Sequence, residues 1–325
     1  MGRRNFDFRK WFLILNMSLL VFVYDMVGTA QAQDGNKGLL NALSRTYSLI
    51  RTYESGDTDY YQITRREHIV DAHGQTAGNA VSAGRFKREI THAENSGRQL
   101  ARYTWKAFAR GQFDGSTTDV KPIEISAISG FTYDLESDDR HSVPPIQIGG
   151  LAKTSDTFTF FVLAWDLAVL ESVVSDRAGY SLSALKHVGD RITDSDPYLP
   201  AVFDFTPVVS DFSHTRSPLT STFSGFTALA KTPAVQISYS APSSPMSYAF
   251  TDGRIAVQLE GREWVSGSIL LDMSDNSMLQ GILETTTVVS QRAQIPGKNL
   301  SFPLTIFQDV LLEKISEGDY DEDAP

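Results

Sequence analysis

The chain contains no cysteine among its 325 residues. It can therefore form no disulfide, carry no lipid on an N-terminal cysteine and build no metal site from thiolates. A secreted chain of this kind must be held together by its hydrophobic core alone. The length is sufficient for such a core, either in one large β domain or in two small ones.

Residues that usually mark a reaction centre are also scarce. The six histidines form no His-x-His or His-x-x-x-His pair, and His68 and His73 would point to opposite faces of a strand. No glycine-rich phosphate loop occurs, and the stretch "GYSLS" at Gly179 lacks the second glycine of a nucleophile elbow. The sequence therefore predicts no catalytic residue, no metal site and no cofactor. Enzymatic activity stays open only as a hydrolase whose site the sequence does not reveal.

Positive charge is in deficit as well. The formal charge at pH 7 is −10 for the whole chain. The first 32 residues carry four basic and two acidic side chains, which leaves the remainder near −12. An acidic surface repels polyanions, so the composition argues against nucleic acid and against anionic membrane surfaces as partners.

The N-terminal residues have the three parts of a secretory signal peptide. Four basic residues precede an apolar run over 11–24, and Ala30-Gln31-Ala32 provides a small-x-small cleavage site. Asp25 ends the apolar run before the ~20 residues that a membrane-spanning helix needs. We therefore expect residues 1–32 to be removed, which leaves a periplasmic or secreted protein without a stable membrane span. An uncleaved membrane anchor is the alternative.

Much of the remaining chain alternates apolar and polar residues with the period of two that is typical of strands covered on one face. Between 98 and 108, for example, Ala101, Tyr103 and Trp105 alternate with charged and polar side chains. The Gly- and Ala-rich residues 71–84 are expected to form a long, exposed hairpin loop. The predicted strands are 60–70, 84–93, 98–108, 122–135, 254–260, 265–273, 277–289 and 300–314.

Two segments favour helix instead. Residues 38–53 carry their apolar side chains at helical spacing on one face. Residues 157–176 are apolar nearly all round, which predicts a mostly buried helix with Ser155 or Asp156 as its N-cap. A strand beginning near Phe158 is the alternative, because threonine and phenylalanine are good strand formers.

Residues 194–245 break these patterns. Seven prolines argue against regular helix there, while five phenylalanines distinguish the segment from a disordered one. We expect an irregular segment that packs over an apolar surface, either as a lid on a binding site or as a plug that completes the core. The last residues, 316–325, are acidic and are expected to be disordered.

Together these elements predict a mainly β protein of the α+β class. Its expected architecture is a strongly bent antiparallel sheet or half-barrel, with helices and the irregular segment 194–245 covering the mouth. Residues 33–315 are expected to form a single β-rich domain. An outer-membrane barrel is the least favoured architecture, because the strands lack the aromatic girdles of lipid-facing strands.

One stretch near the C-terminus carries a resemblance. Residues 261–279, "GREWVSGSILLDMSDNSML", predict a hairpin with one apolar face and its turn at 274–276. Trp264, Gly267 and Asp272, with the short turn and the second strand, resemble the late hairpin of the lipoprotein-carrier family of the LolA/LolB type. The resemblance covers the last quarter of the chain by pattern and the rest only by type. It implies an open, strongly bent antiparallel sheet that holds acyl chains in its concavity.

A bent sheet with one apolar face must cover that face or leave a cavity for a ligand. The first hypothesis is therefore an exported, non-catalytic envelope protein that binds a hydrophobic ligand or a lipoprotein acyl chain. The alternative is an envelope scaffold or protein-interaction module with a filled core, because each candidate side chain taken alone is more simply explained as core. The predicted apolar lining is Trp105, Phe131, Tyr133, Trp264, Leu271 and Met273.

Overall fold

The computed structural model describes residues 45–93, 99–111, 123–136, 150–176, 180–194, 201–206, 208–252, 255–295 and 298–322. Residues Tyr47–Pro325 form one compact unit. The predicted signal peptide, residues 1–32, lies outside the described residues, as do residues 38–44 of the predicted helix at 38–53.

The described residues form thirteen strands in one sheet, all paired antiparallel. One long helix, α1 (Ser155–Val174), and one short helix, α2 (Glu317–Asp321), accompany the sheet. The strands are β1 Thr58–Asp71, β2 Thr76–Ala93, β3 Gln99–Gly111, β4 Ile123–Glu124, β5 Thr132–Glu136, β6 Arg191–Thr193, β7 Ala201–Phe205, β8 Val209–His214, β9 Thr220–Leu229, β10 Thr232–Asp252, β11 Ile255–Asp272, β12 Met278–Ile295 and β13 Lys298–Ile315.

The strand order is β4-β3-β2-β1-β13-β12-β11-β10-β8-β7, with β5 also paired to β3, and β9 paired to both β10 and β6. Five antiparallel pairs of long, consecutive strands supply the middle of this order, so most neighbours in the sheet are also neighbours in sequence. In the part of the chain that the structure describes, the terminal strands β4 and β7 do not pair with each other, and the sheet is open. The predicted mainly-β, antiparallel class is confirmed.

Helix α1 begins with a capping box. The hydroxyl of Thr154 accepts a hydrogen bond from the backbone N–H of Thr157, whose own side chain accepts one from the N–H of Thr154. The buried helix predicted over 157–176 is confirmed, whereas the alternative strand and the caps at Ser155 or Asp156 are wrong. By length and composition α1 could cross a membrane, but 56% of its apolar window is buried inside the protein, as in a core helix.

Contacts at the start of α1 show that the sheet is strongly bent. The ring of Phe158 lies 5.7 Å from that of Phe205 on β7, and the ring of Phe160 lies 5.5 Å from that of Phe108 on β3. In a flat sheet, β3 and β7 would be separated by about 38 Å, at ~4.8 Å per strand. In this structure both strands contact the same turn of α1, from different sides, so the sheet must curl around the helix. We call the face that contacts α1 the inner face.

Several predictions about loops are wrong. Residues 47–53 are not helical and have no regular secondary structure; Tyr47 packs on the aromatic rings of β9. The long hairpin loop at 71–84 is in fact a short turn, because β2 already begins at Thr76. Alanine and glycine are weak strand formers, yet both flanking strands pair with this segment and determine its conformation.

The predicted irregular segment at 194–245 consists largely of strands. β7, β8, β9 and the first half of β10 occupy it and extend the edge of the sheet. The error arose from the prolines, because Pro233, Pro242 and Pro245 all lie within β10. The register of β10 with β11 is irregular between Ala241 and Ser244; Pro242 lies inside this irregularity and Pro245 directly follows it.

Residues 317–321 of the acidic tail form the helix α2, so the prediction of disorder is wrong for this part of the tail. A second capping box, between Ser316 and Asp319, starts α2. Tyr60 donates a hydrogen bond to Glu317 and packs against Tyr320, with 5.0 Å between the ring centroids. These contacts hold α2 against β1, which the charge of the tail alone did not indicate.

Candidate functional site

Three of the predicted lining residues lie together under the start of α1. Trp105 on β3 is fully buried, and its ring lies 4.9 Å from that of Phe160 on α1. Phe131 lies 5.7 Å from the same phenylalanine, and Tyr133 lies 6.3 Å from Phe131. These rings pack on one another and on the helix as a core does. α1 therefore occupies the part of the inner face to which a ligand was assigned.

The other three predicted residues are not part of that group. Leu271 is buried on the inner face beside Val235. Trp264 and Met273 are exposed, Trp264 on the outer face of β11 and Met273 in the turn that follows it. The expectation of one buried face shared by Leu271 and Met273 is thus wrong, because the strand ends at Asp272 and the alternation ends with it.

A belt of polar side chains crosses the inner face at the edge of this core. We call it the polar belt. Cross-strand pairs connect Glu67 on β1 to Gln308 on β13 and Gln308 to Thr285 on β12. Further along, Thr287 pairs with Glu263 on β11. The full belt comprises Arg65, Glu67, Gln308, Thr285, Thr287, Glu263, Ser244, His214 and, from α1, Asp166.

Arg65 is the centre of the belt. Its guanidinium lies 2.6 Å from a carboxylate oxygen of Glu67 and donates a hydrogen bond of 2.7 Å to the side-chain carbonyl of Gln308. Its Nε lies 3.1 Å from Oδ2 of Asp166. A buried arginine needs compensating partners, and Arg65 has two ion pairs, with Glu67 and Asp166, and the hydrogen bond to Gln308. The belt therefore ties α1 to the middle of the sheet.

The belt contains more carboxylates than arginines, since Asp166, Glu67 and Glu263 accompany the single arginine Arg65. Burial raises the pKa of Asp166 to about 7, although the charge of Arg65 opposes this, and the charges of Glu263 and Glu67 add to the increase. Glu263 lies 3.3 Å from Nε2 of the fully buried His214. The side chains of Glu67 and Glu263 remain 18% and 19% exposed, so both are partly accessible to solvent.

Beyond the belt the inner face becomes apolar again. Val257, Leu259, Val289 and Ala293 form a second buried cluster on β11 and β12. Leu304 and Ile306 of β13 pack against it and are partly buried. The polar belt therefore separates two apolar regions, and α1 covers the first of them. Tyr248 and Phe250 of β10 contact both regions.

The apolar side chains of β13 form an open strip that leads to the belt. Every second residue of this strand faces inward, and Leu300 and Phe302 remain 42% and 37% exposed. Leu304 and Ile306 follow with partial burial, and Gln308 is buried. We call Leu300, Phe302, Leu304 and Ile306 the β13 strip. At ~3.4 Å per residue it is about 20 Å long.

The exposed end of the strip lies where the sheet loses a strand. The last pair between β1 and β13 is Asp71 with Leu304, so residues 298–303 of β13 have no partner on that side among the described residues. Pro303 stands in this free edge and presents no N–H to a foreign strand. The edge is therefore protected against strand addition, while the side chains of Leu300 and Phe302 stay accessible.

A second exposed apolar group lies on the outer face. Trp264, Thr286, Phe307 and His68 form one cross-strand row over β11, β12, β13 and β1. Phe307 is 44% exposed, and Val288 stands beside the row on β12 with similar exposure. This row contains Trp264 of the hairpin motif, which therefore faces away from the core.

A separate network joins the end of α1 to β2 and β3. Glu171 lies 3.2 Å from Nε of Arg88 and accepts a short hydrogen bond from the hydroxyl of Tyr103. Burial raises the pKa of Glu171, against the opposing influence of Arg88. Arg88 also lies over the ring of Tyr53, 4.7 Å from its centroid. All of these groups have partners, so the network serves to attach α1 and the segment before β1.

Sequence patterns contained part of this information. The alternation of Leu300, Phe302, Leu304 and Ile306 is visible in the sequence, but not which face the helix covers. The belt could not be found, because Arg65, Asp166 and Glu263 lie far apart in the chain. Within the described residues, no group of three or more His, Asp or Glu side chains is placed to hold a metal ion.

Comparisons with known proteins give no family. No family model matches the chain, and no curated protein matches it significantly. Among solved structures, OccK2 (OpdF) of Pseudomonas aeruginosa aligns with a TM-score of 0.24 and 12% identity, over 80% of this chain and 98% of that one. A mutant of the Rh. blastica porin gives 0.17 and 7%, over 80% and 100% of the two chains. OmpT of Vibrio cholerae gives 0.17 and 7%, over 81% and 100%. Scores this low support no inference about this chain.

Proposed function

We propose that this protein is a non-catalytic envelope protein that binds an apolar chain along the β13 strip. The observation that carries the proposal is the gradient of exposure on β13, from Leu300 and Phe302 in solvent to Gln308 in the polar belt. Exposed apolar side chains that lie in a row on an inner face are a suitable surface for an alkyl chain. The ligand is a lipid or the acyl chain of a lipoprotein.

This proposal moves the site away from the residues that the sequence suggested. Trp105 and Tyr133 are buried under α1, and Leu271 belongs to the same buried cluster, so that part of the inner face is occupied by the protein itself. The apolar region on the other side of the belt is where inward-facing side chains of β13 remain accessible. Export to the periplasm or secretion, which the N-terminal residues predict, would bring the protein to such ligands.

A protein-interaction module is the second candidate function, and the outer row favours it. Trp264, Phe307 and Val288 are large apolar side chains exposed on neighbouring strands. Such a group is typical of a surface that contacts another protein. The Pro-rich segment and the acidic tail are less suitable for this role, because residues 201–245 supply strands of the sheet and the tail packs as α2.

The two candidates can be separated with a matched pair of variants on the same strand. Phe302 faces inward and Phe307 faces outward, and their exposures are similar at 37% and 44%. Binding of the neutral apolar dye Nile red would be titrated by fluorescence. We expect Phe302→Ala to weaken binding about tenfold or more, since burial of one phenylalanine is worth about 1.5–3 kcal/mol. Phe307→Ala should leave dye binding unchanged.

Thermal melting of both variants provides the control for folding. Neither side chain is buried, so both variants should melt within a few degrees of the wild type. Absence of dye binding by the wild-type protein would contradict the proposal. Equal loss of binding in the two variants would do the same, and loss only in Phe307→Ala would favour the outer row.

A further inference from the structure

The point where the β13 strip meets the polar belt suggests what kind of head group the ligand has. Ile306, the last residue of the strip, is followed on the same face by Gln308, which pairs with Glu67 on β1. When an alkyl chain lies along the strip with its head-group end toward the polar belt, the head group is next to Glu67. This step rests on the function proposed above.

The charges at this point favour one sign. The guanidinium of Arg65 is already enclosed by Glu67, Gln308 and Asp166, at 2.6, 2.7 and 3.1 Å. An anionic head group would have to displace one of these acceptors. Glu67 and Glu263, by contrast, are the more exposed members of the belt, with 18% and 19% of their side chains accessible against 12% for Arg65.

The carboxylates of the belt outnumber its one arginine, because Glu67, Glu263 and Asp166 accompany Arg65. Burial raises the pKa of Asp166 and the charge of Arg65 opposes this, while the charges of Glu263 and Glu67 add to the increase. Bringing a carboxylate or phosphate into such surroundings costs free energy, while an ammonium group would be attracted to them.

We propose that the ligand is an amphiphile with a cationic, hydrogen-bond-donating head, such as an amine, whose apolar chain lies on the β13 strip and whose head binds beside Glu67. Glu263 and Asp166 contribute to the attraction from the other side of the belt. Fatty acids and other amphiphiles with purely anionic heads are then poor ligands for this site.

Three probes with the same chain test this proposal. Decylamine, decanol and decanoate would each be titrated, below their micelle concentrations, against the full protein carrying Nile red. We expect decylamine to displace the dye at a concentration at least ten times lower than decanol, and decanoate to be the weakest of the three. Decanoate that binds as tightly as decylamine would overturn the proposal.

Variants of the belt identify the group that is responsible. Glu67→Gln removes the charge with almost no change in volume, and should reduce the preference for decylamine over decanol at least threefold while decanol itself binds as before. Glu263→Gln is a second variant should Glu67→Gln fail to fold. Glu284→Gln is the matched control, because Glu284 is exposed on the outer face of β12. This control variant also measures how much of the effect comes from the general attraction of an acidic protein for amines.

The outcomes separate the two proposals. If none of the three probes displaces the dye, the proposed function itself fails. If all three bind equally and Phe302→Ala weakens all of them, the apolar site is supported and the head-group inference fails. Equal effects of Glu67→Gln and Glu284→Gln on decylamine would likewise overturn the inference, since they would reflect net charge rather than a site.

Discussion

The hydroxyl of Tyr239 on β10 donates a hydrogen bond of 2.7 Å to the backbone carbonyl of Ile282 on β12, and it crosses β11 to do so. The residue of β11 that it crosses is Gly267. A Cβ atom added there would lie 2.0 Å from the carbonyl oxygen of Ile282 and 2.5 Å from the tyrosine hydroxyl. The glycine of the Trp-x-x-Gly motif is therefore required by this close approach.

Substitution of this glycine should be strongly destabilising. We expect Gly267→Ala to lower the free energy of unfolding by about 3 kcal/mol, through overpacking and the loss of the tyrosine hydrogen bond. Gly281→Ala is the control, because its Cβ would meet no backbone atom but only the ends of two side chains, Leu170 at 3.1 Å and Met278 at 3.4 Å. Urea denaturation of the two variants measures the difference, and equal losses of stability would contradict this explanation of the motif.

The core under α1 should behave as a filled core. Phe160 contacts Trp105, Phe108 and Phe131, so Phe160→Ala is expected to cost about 3–5 kcal/mol. The same substitution at a residue that lines an empty ligand cavity would lower stability much less, because no close packing would be lost. Denaturant unfolding gives the answer, and a loss below about 1 kcal/mol would show that this part of the inner face is not packed.

Asp166 should make stability depend on pH. Its pKa is raised from 3.8 to about 7 in the folded protein, so the folded state holds the proton more tightly than the unfolded state. The stabilisation from protonation is complete below pH 4 and is lost as pH rises toward 7. A pKa difference of about three units corresponds to about 4 kcal/mol.

The variant Asp166→Asn isolates this contribution. Because asparagine does not titrate, the stability of the wild type relative to the variant should decrease from pH 4 to pH 7 and then stay constant. Thermal melting across this range provides the comparison. Parallel pH profiles for the two proteins would show that Asp166 is already ionised at low pH, contrary to its burial in the belt.

The turn between β9 and β10 offers a stabilising substitution. Ala230 and Lys231 both have positive φ, of 47° and 77°, in a two-residue hairpin turn. Such turns favour asparagine and glycine, since other residues are strained there. Lys231→Gly should raise stability by about 1 kcal/mol, whereas the same substitution at the exposed strand residue Gln258 should lower it. A lower melting temperature for Lys231→Gly would contradict the strain.

The sequence revealed those features that depend on neighbouring residues. The hairpin of β11 and β12 and helix α1 were predictable because the alternation and the all-round apolar pattern are local. β10 was not, since its prolines suggested an irregular chain and only pairing with β11 on one side and β8 and β9 on the other explains its conformation. Propensity is a weak guide when tertiary pairing opposes it.

The site was less predictable than the fold, for a related reason. Trp105, Phe131 and Tyr133 were correctly taken as inward-facing, but only the position of Phe160 shows that they are covered by α1. The polar belt joins residues from β1, β8, β10, β11, β12, β13 and α1, and no local pattern reports such an assembly. The alternation of side chains along a strand also shows only that Phe302 and Phe307 face opposite sides of the sheet, and not which side is the inner one.

Native mass spectrometry tests the central claim, that the β13 strip holds an apolar ligand, most directly. The protein would be purified gently from the cells that produce it, as wild type and as the matched variants Phe302→Asp and Phe307→Asp. We predict an adduct of lipid-like mass on the wild type and on Phe307→Asp, and its loss from Phe302→Asp. A wild-type protein without any adduct, or an adduct that both variants keep, would contradict the account.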